Sequence, residues 1–101
     1  PYVPTGDVAL LPAEAREHEA RLALDGGPDG LDVLRRVAAV APDWLAPGGH
    51  LLSEISDRQR EPATAALAAA GLTPRLARSE ELGASVLIAA CPDADLDPPR
   101  C

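Results

Sequence analysis

Few side chains in this sequence are suited to chemistry by type and spacing. His18 and His50 stand far apart, and each reads as an ordinary surface or packed residue rather than a general base. Cys91 and Cys101 form no Cys-x-x-Cys pair and no cluster with histidine, so a structural zinc site is hard to assemble from them. Both thiols are expected to be free, as in a reducing compartment. Gly26-Gly27-Pro28-Asp29-Gly30 has the glycines of a phosphate loop, but no Lys-Ser or Lys-Thr follows and no strand precedes it. It reads instead as a turn and helix cap. Glu54 interrupts an otherwise apolar stretch, where a carboxylate either points out of the sheet's carboxyl edge toward a substrate pocket or is held in a structural salt bridge. The residues leave both readings open. Tyr2, taken alone, is a half-buried packing contact near a chain end.

The elements that must position these groups follow from punctuation and periodicity. Pro1 to Gly6 is too rich in proline for a helix and reads as a loop. Residues 11–24 favour helix by propensity but carry leucines only near the ends, which predicts a surface segment with at most a short helix. After the glycine turn, Asp29 can cap a helix in which Val33, Val37, Val40 and Trp44 recur at helical spacing, with Leu34 and Ala41 beside them. This predicts a helix over 30–41 whose valine and tryptophan side chains face the core, loosened or ended by Pro42. His50 to Ser56 reads as a buried strand. Ser56 and Gln59 have capping-box spacing ahead of a stripe of Ala63, Ala66, Leu67 and Ala70 that stops at Gly71. Pro62 requires either a distorted first turn or a regular helix that begins nearer Glu61. Leu72 to Arg78, with Pro74, suits an edge strand, and Ser85 to Ala90 a strand covered on both sides. Glu80-Glu81-Leu82-Gly83 would connect them as a hairpin. Residues 92–101, with three prolines and several charges, are expected to be a disordered tail.

This order predicts the end of an open α/β sheet, a parallel strand plus a closing antiparallel hairpin with packed helices. The strand at 50–56 would have one neighbour here, leaving its other edge for a segment from upstream or for another copy.

Composition narrows the function classes. The 101 residues suit one modest domain or part of a larger one. The formal charge is -7 and every base is arginine, scattered along the chain, which disfavours non-specific nucleic acid binding and a basic membrane anchor. No apolar stretch approaches a membrane span and no secretory leader pattern opens the sequence, so a cytoplasmic location is expected.

Specific motifs carry a further signal. Pro1-Tyr2-Val3-Pro4 resembles the last half of the Asn-Pro-Pro-Tyr motif of class I S-adenosylmethionine-dependent amino-methyltransferases. Glu19, then Ala23-Leu24-Asp25-Gly26-Gly27-Pro28-Asp29-Gly30-Leu31-Asp32, and then Leu45-Ala46-Pro47-Gly48-Gly49-His50 through Glu54 and Gln59, resemble the segments that follow in the protein-(glutamine-N5) methyltransferases of peptide chain release factors. The resemblance runs from Pro1 to about Ala90. The glycine-rich Asp25 to Asp32 stretch, at its distance after Pro-Tyr, is more specific than Pro-Tyr itself.

This resemblance implies that residues 1–91 are the C-terminal portion of a catalytic domain, the second half of a Rossmann-like sheet whose last strand lies antiparallel beside the strand at 50–56. It implies methyl transfer from S-adenosylmethionine to the side-chain amide of a protein glutamine in a release factor. Pro1, Tyr2 and Glu54 are the implied substrate-binding residues, and no cofactor ligand falls within this chain. The family's Asn and first Pro precede Pro1, so the 101 residues alone are expected to be inactive. Ala20 after Glu19, Ser85 in place of an arginine, and Ser56-Asp57 in place of a glycine turn are departures. The alternatives are part of an adenine-N6 nucleic acid methyltransferase, sharing the same amine clamp, and a non-catalytic truncated assembly module.

Overall fold

The computed structural model describes residues 3–12 and 21–92. The chain divides into two compact units, Pro1–Leu34 and Arg35–Cys101. Pro1, Tyr2, His18 and the expected tail lie outside the described residues, Pro92 excepted.

In the first unit the expected loop tightens, from Thr5 to Leu10, into a 3-10 turn in which Val8 is buried. Pro4 enters it in an extended conformation, and the Asp7 N–H donates to the Pro4 carbonyl at 2.8 Å. A short helix α1, Arg21–Leu24, precedes the glycine turn. Helix α2, Asp32–Trp44, starts in this unit and continues into the second. Asp29 Oδ1 accepts the Leu31 N–H at 3.0 Å, making a local turn two residues long at the helix entrance.

Helix α2 differs from its sequence reading in the face it buries. Leu31, just ahead of it, and Ala38, Ala41 and Pro42 are buried, whereas Val37, Val40 and Trp44 are exposed, Trp44 at 84%. Periodicity locates a stripe but weights it by side-chain size. Here the small residues are inside, and alanine permits closer backbone approach than valine or tryptophan. Pro42 lies within the helix rather than ending it.

The second unit is organised by strands β1, His50–Ile55, β2, Thr73–Ser79, and β3, Ala84–Ala90, with helix α3, Arg60–Ala69, between the first two. The predicted sheet, a parallel strand plus a hairpin in a Rossmann-like arrangement, is corrected here. The strand order is β1-β3-β2 and both pairings are antiparallel. The physical reason lies in the tight connection between β2 and β3. A four-residue link turns the chain straight back, so β3 inserts between β1 and β2 and takes the hydrogen bonds that a direct parallel pair would have used. β1 and β2 still run in the same direction, but one strand apart.

Register sorts the side chains onto two faces. Leu51, Ala89 and Pro74 are opposite one another, as are Ser53, Leu87 and Leu76, and Ile55, Ser85 and Arg78. On this face Ile55, Ser85, Leu87 and Ala89 are buried, together with Ala63 and Leu67 of α3 and Leu72. The other face carries Leu52 beside Ile88 and Glu54 beside Val86, and Leu52 is 60% exposed. Pro74 sits on edge strand β2, where a missing N–H costs no interior ladder bond.

Local chemistry sets the ends of α3. A 3-10 turn, Asp57–Gln59, leads into it, and Gln59 Oε1 accepts the Ser56 N–H at 3.0 Å, the back-reaching half of a capping box. Pro62 therefore falls in the first turn, where its lack of an N–H is tolerated. At the other end Gly71 adopts φ +88°, the Gly71 N–H reaches the Ala68 carbonyl at 3.0 Å and the Leu72 N–H reaches the Leu67 carbonyl at 3.1 Å. That is a Schellman stop, with Leu72 and Leu67 both buried beside it.

Cys91 continues the sheet beyond β3: its N–H donates to Gly49 at 2.7 Å and its carbonyl accepts from Gly48 at 3.1 Å. It is disulfide-bonded, which corrects the expectation of a free thiol at this position. That expectation rested on compartment and metal spacing, neither of which tests whether two sulfurs come close in the folded chain. Among the described residues no helix is long and apolar enough to cross a membrane.

Leu67 is fully buried between helix and sheet elements of the second unit. Leu67→Ala should destabilise the chain by about 2 to 5 kcal/mol in urea unfolding, whereas Leu82→Ala, on the exposed β2–β3 link, should change it by less than about 0.5 kcal/mol.

Candidate functional site

The chain immediately after Pro1-Tyr2 is tied to the glycine turn. Val3 and Asp25 form an isolated parallel bridge, with the Val3 N–H donating to Leu24 at 2.9 Å and the Gly26 N–H donating to Val3 at 2.7 Å. Two residues on, the Thr5 N–H donates to the Gly27 carbonyl at 2.8 Å. Side chains reinforce the backbone: Thr5 Oγ1 donates to Asp25 Oδ1 at 2.7 Å, and the same oxygen accepts the Gly27 N–H at 3.0 Å. Asp25 thus links two stretches of backbone through one carboxylate, with the short distance expected of an O–H···O⁻ bond.

The turn itself is closed on its own groups. Asp25 Oδ1 accepts from Gly27, the Gly27 carbonyl from Gly30 at 3.0 Å, Asp29 Oδ1 from Leu31, and the Gly26 carbonyl from Asp32 at 2.8 Å. A phosphate or cofactor cradle needs such N–H groups pointing at the ligand, and here those of Gly26, Gly27, Gly30, Leu31 and Asp32 already have acceptors. Those N–H groups of the turn are therefore not open to S-adenosylmethionine. Gly27 and Gly30 have φ of +90° and +80°, and a Cβ at Gly27 would overlap the Asp32 carboxylate. Gly26 and Gly30 are buried.

Glu54 lies on β1 in the second unit, described by itself. It is exposed, with Val86 as its cross-strand neighbour, so the premise of a buried carboxylate fails. Strand alternation turns it to the face opposite Ile55, and among the described residues its carboxylate has no hydrogen-bond or ion-pair partner. Gln59 is buried and takes the turn-forming role read from its spacing. His50 is exposed at the start of β1. Among the described residues, no group of three or more His, Cys, Asp or Glu side chains could hold a metal ion. Sequence reasoning did not single out Thr5, and it noticed Asp25 only as part of a motif. The available signal was Asp-Gly-Gly, since an aspartate two residues ahead of a glycine N–H favours an Asx turn.

Val3 to Thr5 are thus tied to the glycine turn. The chain is similar to release factor glutamine methyltransferases. It is 51% identical over 61 residues to that of Geobacter sulfurreducens, covering 60% of this chain and 22% of the relative. It is 49% identical over 70 residues to that of Thermosynechococcus vestitus, covering 69% and 24%. The match to the Moorella thermoacetica protein is 52% over 59 residues, covering 58% and 20%. The chain thus spans between a fifth and a quarter of the length of these curated relatives. No family model matches it, and no solved structure does.

Gly27 and Gly71 provide a matched test of the turn. Both have φ near +90°, but nothing lies within 4 Å of a Cβ at Gly71. Gly71→Ala should cost about 1 to 2 kcal/mol from backbone strain alone. Gly27→Ala should cost more in the same urea titration, because Asp32 must also move.

Proposed function

We propose that this chain is part of an enzyme that methylates the side-chain amide nitrogen of a glutamine in a peptide chain release factor, with S-adenosylmethionine as methyl donor. The observation that carries this reading is 42–52% identity to release factor glutamine methyltransferases from several organisms. Residues 1–91 are read as a C-terminal part of the catalytic domain. Cofactor binding is assigned to protein outside these residues, because the N–H groups of Gly26, Gly27, Gly30, Leu31 and Asp32 in the glycine-rich turn ahead of α2 are already hydrogen-bonded. Such a substrate places the reaction in the cytoplasm, where translation terminates.

Pro1, Tyr2 and Glu54 are the proposed substrate contacts. An amide nitrogen is a weak nucleophile because its lone pair is delocalised into the carbonyl, so orientation of the NH2 group is the main task of the protein. Tyr2 supplies a flat surface for the planar amide. Val3, the residue after Tyr2 in the sequence, is hydrogen-bonded through both its N–H and its carbonyl. Glu54, exposed and unpartnered among the described residues, is available to a polar group of the substrate.

β1 has one sheet neighbour, β3, and its outer edge is unpaired among the described residues. We assign that edge to a segment of the larger protein or to a second copy, since an open edge beside exposed Leu52 favours association.

Three outcomes test this reading. The protein extended upstream should transfer labelled methyl to release factor glutamine, located by mass spectrometry, while the 101 residues alone should leave the substrate unlabelled. Failure of the extended protein to label any glutamine would remove the proposed activity. In that protein Tyr2→Ala should lower kcat by about a hundredfold with S-adenosylmethionine affinity nearly unchanged; an equal loss of cofactor affinity would place Tyr2 elsewhere. Sedimentation of the isolated chain should show self-association, or unfolding should lack cooperativity, and a cooperative monomer across a wide concentration range would contradict the edge assignment.

A further inference from the structure

We propose that Asp25 is a positioning residue for methyl transfer, setting the register of Val3 to Thr5, which follow Pro1 and Tyr2 in the sequence, against the glycine turn. This rests on the reading of Pro1 and Tyr2 as substrate contacts. The backbone pairing that follows them is a single parallel bridge, Val3 with Asp25, too short to define its own register. A slip of one residue in extended chain reverses the side on which each side chain projects. Asp25 is where such a slip is prevented. Its own residue is straddled by the two bonds to Val3, and its carboxylate takes Thr5 Oγ1 from one stretch and the Gly27 N–H from the other. Only one alignment of the two stretches satisfies both side-chain bonds together with the Thr5-to-Gly27 backbone bond. Val3, whose N–H and carbonyl make the two backbone bonds, is the residue that follows Tyr2 in the sequence.

The carboxylate's task is geometric, and geometry in methyl transfer is read in kcat. In the extended protein, Asp25→Ala and Thr5→Val should each lower kcat about tenfold, with S-adenosylmethionine affinity unchanged. Thr5→Ser, which keeps the hydroxyl, should recover most of the loss. Combined with Tyr2→Ala, neither variant should add a further loss, because the residue being positioned is already gone. A purely structural role would give losses that multiply with Tyr2→Ala, and that result, or a wild-type kcat in Asp25→Ala, would overturn the proposal. Amide hydrogen exchange provides a readout without catalysis. Exchange at Val3 and Gly26 should quicken in Asp25→Ala and Thr5→Val and stay slow in Thr5→Ser; unchanged exchange in all three would also overturn it. If the unmodified protein methylates no glutamine, the functional reading fails, and the exchange data still decide whether Asp25 holds the segment.

Discussion

β3 is hydrogen-bonded along both edges, and the second unit is arranged around that requirement. An interior strand must satisfy two rows of backbone groups, and β3 does so with β1 on one side and β2 on the other. The tight link through Gly83, with φ +60°, brings β2 back as one partner, and the helix between β1 and β2 leaves the one-strand gap that β3 fills. Leu87 and Ala89 are buried on one face because α3 delivers Ala63 and Leu67 with Leu72 following. Alanine-rich composition makes this a core of small pieces. Its stability depends on close approach rather than on large side chains.

The first unit relies on a different kind of constraint. Few large apolar groups are buried there, Val8 and Leu31 among the described residues, so polar contacts define its loop path. Asp25, Asp29 and Asp32 stand close in sequence in an acidic chain, a placement that repulsion disfavours unless each carboxylate has donors. Asp25 has Thr5 and Gly27, and Asp29 has Leu31. The glycines are needed because this path passes through positive φ and because Asp32 lies against Gly27.

Much of the candidate site was legible as motif, less of it as geometry. The Ala23 to Asp32 stretch pointed to the methyltransferase class through its resemblance to that family, while its residues taken alone indicated only a turn and a helix cap. Glu54 was read as buried from the apolarity of its neighbours, yet strand alternation puts it on an exposed face. The Thr5–Asp25 bond joins residues twenty positions apart. No local rule relates them, since the contact exists only after the two stretches pair.

Sequence by itself determined the punctuation: the stop at Gly71, the capping turn of Ser56 and Gln59, the early position of Pro62, the edge placement of Pro74 and the hairpin link before β3. Each is a backbone preference expressed within a few residues, through φ, a missing N–H or a side chain that reaches its own turn. Tertiary structure decided which face of α2 is buried, which strands pair and in what direction, and whether the Cys91 sulfur is bonded. Those outcomes depend on what else comes near. Ala38 and Ala41 are inside although Val37, Val40 and Trp44 are the more apolar set, and β3 displaced the parallel pairing that element order implied. Helical period and strand order restrict the packings available, but close contact and paired hydrogen bonds select among them.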